Sequence, residues 1–285
     1  MSSSRHWLIF LCLCAAALPH SVFAQDADDE WMESAETKAL VQERERRIAE
    51  ELHRADDGWA GEYRSGYGVG FNARLLFAPE AGFVFMGSGC VGMYDLDYGD
   101  VELSADKVLL RSEPDKRRNA LRRSPEFVPV LWGERRYLIA PDQFIDFANS
   151  INAGFEPCSP CGRFLLKEGD EQKKVRGQPS LPPEFAEYVL DEPIDARVLS
   201  VVETQVVETE FRPVRRTKVI LDKGRMQGLR VGMALHVSAP RNAIATVKVV
   251  GVDRQSAEAM IEELGVGELL PSVDWELSTR AIGRE

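Results

Sequence analysis

The chain has 285 residues, 35 basic and 46 acidic, for a formal net charge of −11. Such a surface repels nucleic acid and anionic membranes, because phosphate recognition needs clustered Lys and Arg. An apolar fraction of 44 % excludes a disordered tail, and the length suits two modest domains better than one large core.

Residues 1–24 have the layout of a secretory leader. Arg5 supplies a positive start, Trp7 to Ala17 is a nearly unbroken apolar run, Pro19 breaks it, and Val22-Phe23-Ala24 fits a cleavage site. An uncut membrane anchor is the competing reading. Cleavage after Ala24 is the expectation, giving a periplasmic or secreted protein with 34 basic against 46 acidic residues, a charge near −12. No later apolar run approaches the ~20 residues of a membrane span, so no transmembrane segment is expected in the mature chain.

Residues 25–57 form a charged helical segment. Ser34 can cap it, and Leu40, Val41, Ile48 and Leu52 make a thin apolar stripe, as on a solvated helix that leans on something else. Period-two alternation begins at Gly58. Trp59 to Tyr63, Val69 to Phe77 and Phe83 to Phe85 read as strands, followed by short segments at Val91, Val101, Val108, Phe127, Tyr137 and Phe164. Residues 58–177 are therefore expected to form an antiparallel β-barrel or sandwich. One helix is inserted in it. Pro141 opens that helix, Phe144, Ile145, Phe147, Ala148 and Ile151 form its apolar face, and Gly154 ends it. It is expected to plug or flank the barrel. Residues 178–193 are a Pro-rich linker with a short helix, and 194–285 hold six short strands of a second small barrel. The fold class is mainly β, two small barrel-like domains with an N-terminal helix and one inserted helix.

Four motifs could carry chemistry. Cys158-Ser-Pro-Cys161 could be a structural bridge, half a zinc site or a redox pair; an oxidising compartment favours the bridge, and Cys90 could take either partner. The remaining zinc ligands would be Cys90, His53 and His236, and no second Cys pair exists, so no metal is expected. Gly66-Tyr-Gly68-Val-Gly70 lacks the Lys and Ser or Thr of a phosphate loop and reads as a twist between strands. The stretch from Gly87 to Asp100 reads as a hairpin with Tyr94 and Tyr98 packed and its acids in the turn. The competing readings are a ligand mouth, or a calcium loop on Asp95, Asp97 and Asp100 that lacks the usual ligand order. Lys116 to Arg118 with Arg122 and Arg123 form a basic island, read as a solvated loop. No catalytic residue and no cofactor is proposed from these patterns.

Two resemblances bear on the domains. Trp59-Ala-Gly-Glu-Tyr63, Gly89-Cys90-Val-Gly92-Met-Tyr94-Asp, Val130-Leu-Trp-Gly-Glu-Arg135 and the Asn149 to Gly154 stretch resemble a group of uncharacterised exported bacterial proteins. The opening Trp-x-Gly-x-Tyr is also loosely similar to the first strand of lipocalin-like barrels. Val219 to Met233, with Gly224, Gly228 and Gly232, is similar to small C-terminal barrels of a flagellar-ring assembly protein and of the rod-shape-determining protein C. That resemblance implies a protein-contact module without a catalytic site. Gly232 itself suits a close backbone approach at a strand start.

The leading expectation is a non-catalytic exported protein acting in the bacterial envelope through a protein partner. The alternatives are a lipocalin-like binder holding a small apolar ligand among Phe71, Phe83, Tyr94 and Tyr98, and a thiol redox protein using Cys158 and Cys161.

Overall fold

The computed structural model describes residues 34–54, 58–66, 70–90, 92–113, 125–157, 164–209, 212–240, 243, 245–264 and 269–281, without the side chains of Tyr94 and Leu264. The leader-like residues 1–24 with the expected cleavage site, Gly68, the basic island from Lys116 to Arg123, and Cys158 and Cys161 lie outside the described residues. Two compact units result, Met1–Pro141 with Cys158–Pro179, and Asp142–Pro157 with Ser180–Glu285.

The first unit is a closed, up-and-down antiparallel barrel. Its strands are β1 (Gly61–Ser65), β2 (Asn72–Ala78), β3 (Gly82–Gly89), β4 (Gly92–Leu103), β5 (Val108–Ser112), β6 (Glu126–Trp132), β7 (Arg135–Ile139) and β8 (Phe164–Lys167). Each pairs with the next, and β8 returns to β1 through Tyr63↔Lys167 and Arg64↔Leu166. Eight strands leave an interior just wide enough for side chains to fill. Tyr63, Leu75, Phe77, Phe83, Phe85, Leu110, Phe127, Leu138 and Leu165 pack together there, all essentially inaccessible.

An outer face of this barrel is apolar too. Helix α1 (Ala35–Arg54) starts at Ser34, whose hydroxyl accepts from the Thr37 amide at 3.2 Å. Val41 and Ile48 of α1 bury against Leu76, Ala78, Val84, Leu96 and Tyr98 on the outside of β2 to β4. The thin stripe read from the sequence is enough even without Leu40, which is exposed, because one helix face covers one patch of sheet. Glu51 fastens the helix to the β2–β3 turn by accepting from the amides of Glu80 (3.0 Å) and Ala81 (2.7 Å). Arg44 donates to the Gly99 carbonyl and to Glu113, and its guanidinium lies 5.5 Å from the centre of the Tyr98 ring.

This cover reverses one expectation. The β3–β4 hairpin is present and Tyr98 is packed, but Asp95 and Asp97 are not in its turn. Both sit within β4, 5 % and 3 % exposed, opposite Gly87 and Phe85. Leu96 and Tyr98 take the outward positions because α1 makes that side dry, so alternation turns the two acids inward. Only Asp100 of the three is exposed.

The second unit contains helix α2 (Phe144–Ala153), the one-turn helix α3 (Pro183–Ala186), and six strands: β9 (Asp195–Val207), β10 (Val214–Leu221), β11 (Ala234–Ala239), β12 (Ala245–Val252), β13 (Ala257–Leu264) and β14 (Glu276–Ser278). They close in the order β10-β13-β12-β11-β14-β9 around Val198, Val219, Leu221, Leu229, Met233, Leu235, Val247, Ile261, Trp275 and Leu277. In the chain α2 is inserted in the first barrel, between β7 and β8, and Gly154 ends it in the left-handed conformation as expected. The barrel interior that it was expected to plug is filled by side chains of the barrel's own strands, and α2 makes hydrogen bonds inside the second unit. Asn149 donates to the Gly232 carbonyl (3.1 Å) and accepts from the Ala234 amide (2.9 Å), while Asn152 bridges the Tyr188 carbonyl (2.8 Å) and the Leu190 amide (3.0 Å). Gly232, with φ +92°, has no Cβ where one would stand 3.2 Å from Ile145 of α2. The close approach read from the sequence is thus to this helix.

Candidate functional site

The four residues expected to line a ligand site do not share one space. Phe83 is fully buried in the packed barrel interior. Tyr98 faces the other side of the sheet, beneath α1. Phe71 is partly buried at the edge of the interior cluster, its ring over Gly87, where an added Cβ would come within 2.7 Å. The Tyr94 side chain lies outside the described residues. Phe83 and Phe71 thus belong to one core whose aromatic side chains already occupy the place an apolar ligand would take.

The interior is polar toward one end. Along β4 the inward positions run Asp95, Asp97, Gly99, Val101 and the partly buried Leu103, from acid to aliphatic. Ser112 donates its hydroxyl to Asp97 at 2.5 Å. The β3–β4 connection, which holds Cys90, leaves this same end of the barrel. Cys90 stands beside the β3–β4 turn as an exposed free thiol. Among the described residues, no group of three or more His, Cys, Asp or Glu could hold a metal. His236 is set edge-on to Phe155 with centroids 6.0 Å apart, and burial pushes its pKa down.

The second barrel presents a different kind of site. After Arg197, β9 leaves β14 and among the described residues pairs only with β10. Val198 still donates its amide to the Trp275 carbonyl (3.1 Å), and from Leu199 to Val207, among the described residues, the other side of β9 is a strand edge. The pairing skips Leu199 and Val202, at shifts opposite Ile220/Leu221 and Lys218/Val219, which makes both bulge residues. They are the most exposed apolar side chains of the strand, 57 % and 56 %, and Val201 and Val206 are also exposed. Natural edge strands are usually guarded by Lys, Pro or inward charges. Here the charges lie away from the edge: Arg215 pairs with Glu263 (3.1 Å), Arg216 with Glu262 (2.8 Å) and Lys218 with Glu258 (2.7 Å), all between β10 and β13. Glu203 is the sole charge from Val198 to Val207. The sequence marks this segment as a strand, and nothing in its period distinguishes it from a covered one.

An open cleft of about 880 Å³ lies at the start of the same strand, lined by Asp195, Arg197, Asp222, Lys223, Glu276 and Arg280 among others. Several of its charges are already satisfied within it: Arg197 pairs with Glu276 (3.1 Å), and Asp222 accepts from the Arg197 amide (2.8 Å). No helix among the described residues is long and apolar enough to cross a membrane. No family model, no curated protein and no solved structure matches the chain. The class that the fold itself defines is a two-barrel β protein, an eight-stranded meander followed by a six-stranded barrel.

Proposed function

We propose that this is an exported, non-catalytic protein that works in the bacterial envelope through protein–protein contacts. The observation that carries the reading is that no described element covers the outer side of β9 beyond Val198, where Leu199, Val201, Val202 and Val206 are exposed along a strand edge able to accept another strand. The leader-like residues 1–24 support the address, and the resemblance of Val219 to Met233 to envelope-protein barrels supports the mode of action. The filled interior around Phe83 speaks for contacts over enclosure of an apolar ligand.

Two measurements test this. Protein recovered from its native envelope should begin at Gln25; a chain retaining Met1 inside the cell removes the address. Mature protein used as bait should retain a protein in stoichiometric yield, and Val202→Lys should lose it. Equal recovery by both baits, or by neither, removes the contact surface.

A further inference from the structure

We propose that the free side of β9 takes β9 of a second copy of this chain, the two strands running antiparallel about a two-fold axis. This rests on the contact reading above and names its partner. A strand edge binds through main-chain groups, so the occupant must be extended and must place no like charge opposite itself. The segment from Leu199 to Gln205 meets both conditions against itself. With the axis at Val202, which then faces its own copy, Glu203 of each copy faces Val201 of the other, Thr204 faces Ser200, and Gln205 faces Leu199. No charged pair is opposed. The two bulges leave Leu199 and Val202 unpaired within their own sheet, and self-pairing covers them.

The size of the surface sets the strength. One strand edge and four aliphatic side chains fall short of the ~800 Å² per partner of a standard stable interface, so the dimer is weak and concentration-dependent. The net charge of −11 adds long-range repulsion, which salt screens, so association strengthens with ionic strength.

Sedimentation velocity on the mature chain, from micromolar to millimolar concentration, reads the dimer directly. Val202→Lys and Val202→Glu each place like charges at the axis and should weaken association by at least about tenfold. An equimolar mixture of the two should restore it, which a mere folding defect cannot do. Hydrogen exchange at high against low concentration should show new protection on alternate amides of Leu199 to Gln205. A wild type that stays monomeric throughout, or a mixture that fails to recover, overturns self-pairing. If the wild type is monomeric while Val202→Lys still abolishes capture of an envelope protein, self-pairing is overturned and the contact reading stands. If Val202→Lys changes neither, both are overturned.

Discussion

Asp170→Asn should destabilise the first barrel by about 2 kcal/mol at neutral pH, and that penalty should vanish in acid. Asp170 is 1 % exposed, in the turn after β8. Burial alone would raise its pKa. Against this stand hydrogen bonds from the Arg136 side chain (2.9 and 2.8 Å), from Lys173 (2.6 Å) and from the Arg136 amide (2.9 Å), which together take it from 3.8 to about 2. The same guanidinium donates to the Gly58 carbonyl at 2.7 Å, so the carboxylate organises the entry to β1 as well as the β7–β8 end.

A folded-state pKa below the unfolded value means that the charged form is the one folding favours. The stabilisation is fully present above pH ~4 and is lost as pH falls toward 2. A fall from 3.8 to about 2 corresponds to about 2 kcal/mol, with roughly half remaining at pH 3. The assay is chemical or thermal unfolding of wild type and Asp170→Asn side by side from pH 7 to pH 2. Other carboxylates titrate equally in both proteins, so the difference between the two curves isolates this group. A gap that stays constant down to pH 2 would refute the electrostatic origin and leave only a packing effect.

Phe83→Ala removes a fully buried ring from the barrel interior and should cost about 3–5 kcal/mol in equilibrium unfolding. Gly82→Ala should be no milder. Its φ is +88° and the new Cβ would stand 2.1 Å from the Gly99 carbonyl oxygen, so loss of soluble protein or a large fall in melting temperature is expected. Asn149→Ala leaves the Gly232 carbonyl and the Ala234 amide without their side-chain partner, worth about 1–3 kcal/mol; hydrogen exchange should rise at the start of β11 and stay unchanged in β1 to β8. Glu51→Ala frees two amides of the β2–β3 turn and should loosen α1, read as faster exchange over residues 35–54 with the barrel retained.

Period-two alternation between turn residues was enough to read both barrels, because each strand carries that signal locally. Ser34 and Gly154 were legible as helix ends for the same reason: a cap is a property of a few neighbouring residues. Less could be read where the deciding partner is distant in sequence. Asn149 and Asn152 look like ordinary polar positions on α2, yet their amides complete backbone groups more than thirty residues away. The helix's place in space follows those bonds, while its place in the chain lies between β7 and β8. Of the expected ligand set, Phe83 and Tyr98 fall on opposite faces of the sheet, because aromatic content does not say which face a ring takes.

The two faces of this problem meet in β4 and β9. In β4, Asp95 and Asp97 turn inward and Leu96 and Tyr98 turn outward, since α1 dries the outer surface at that point. In β9, Leu199 and Val202 turn outward with no described element above them. Both strands break the rule that apolar residues face the barrel interior, but β4 has its cover within the same chain. Burying apolar surface is favourable at roughly 25 cal/mol per Å² wherever the covering atoms come from. The free energy that α1 contributes to β2, β3 and β4 is therefore still available at β9 to whatever strand arrives there. That unclaimed contribution, together with a row of backbone donors and acceptors that no described element pairs, is what the proposed association at β9 would draw on.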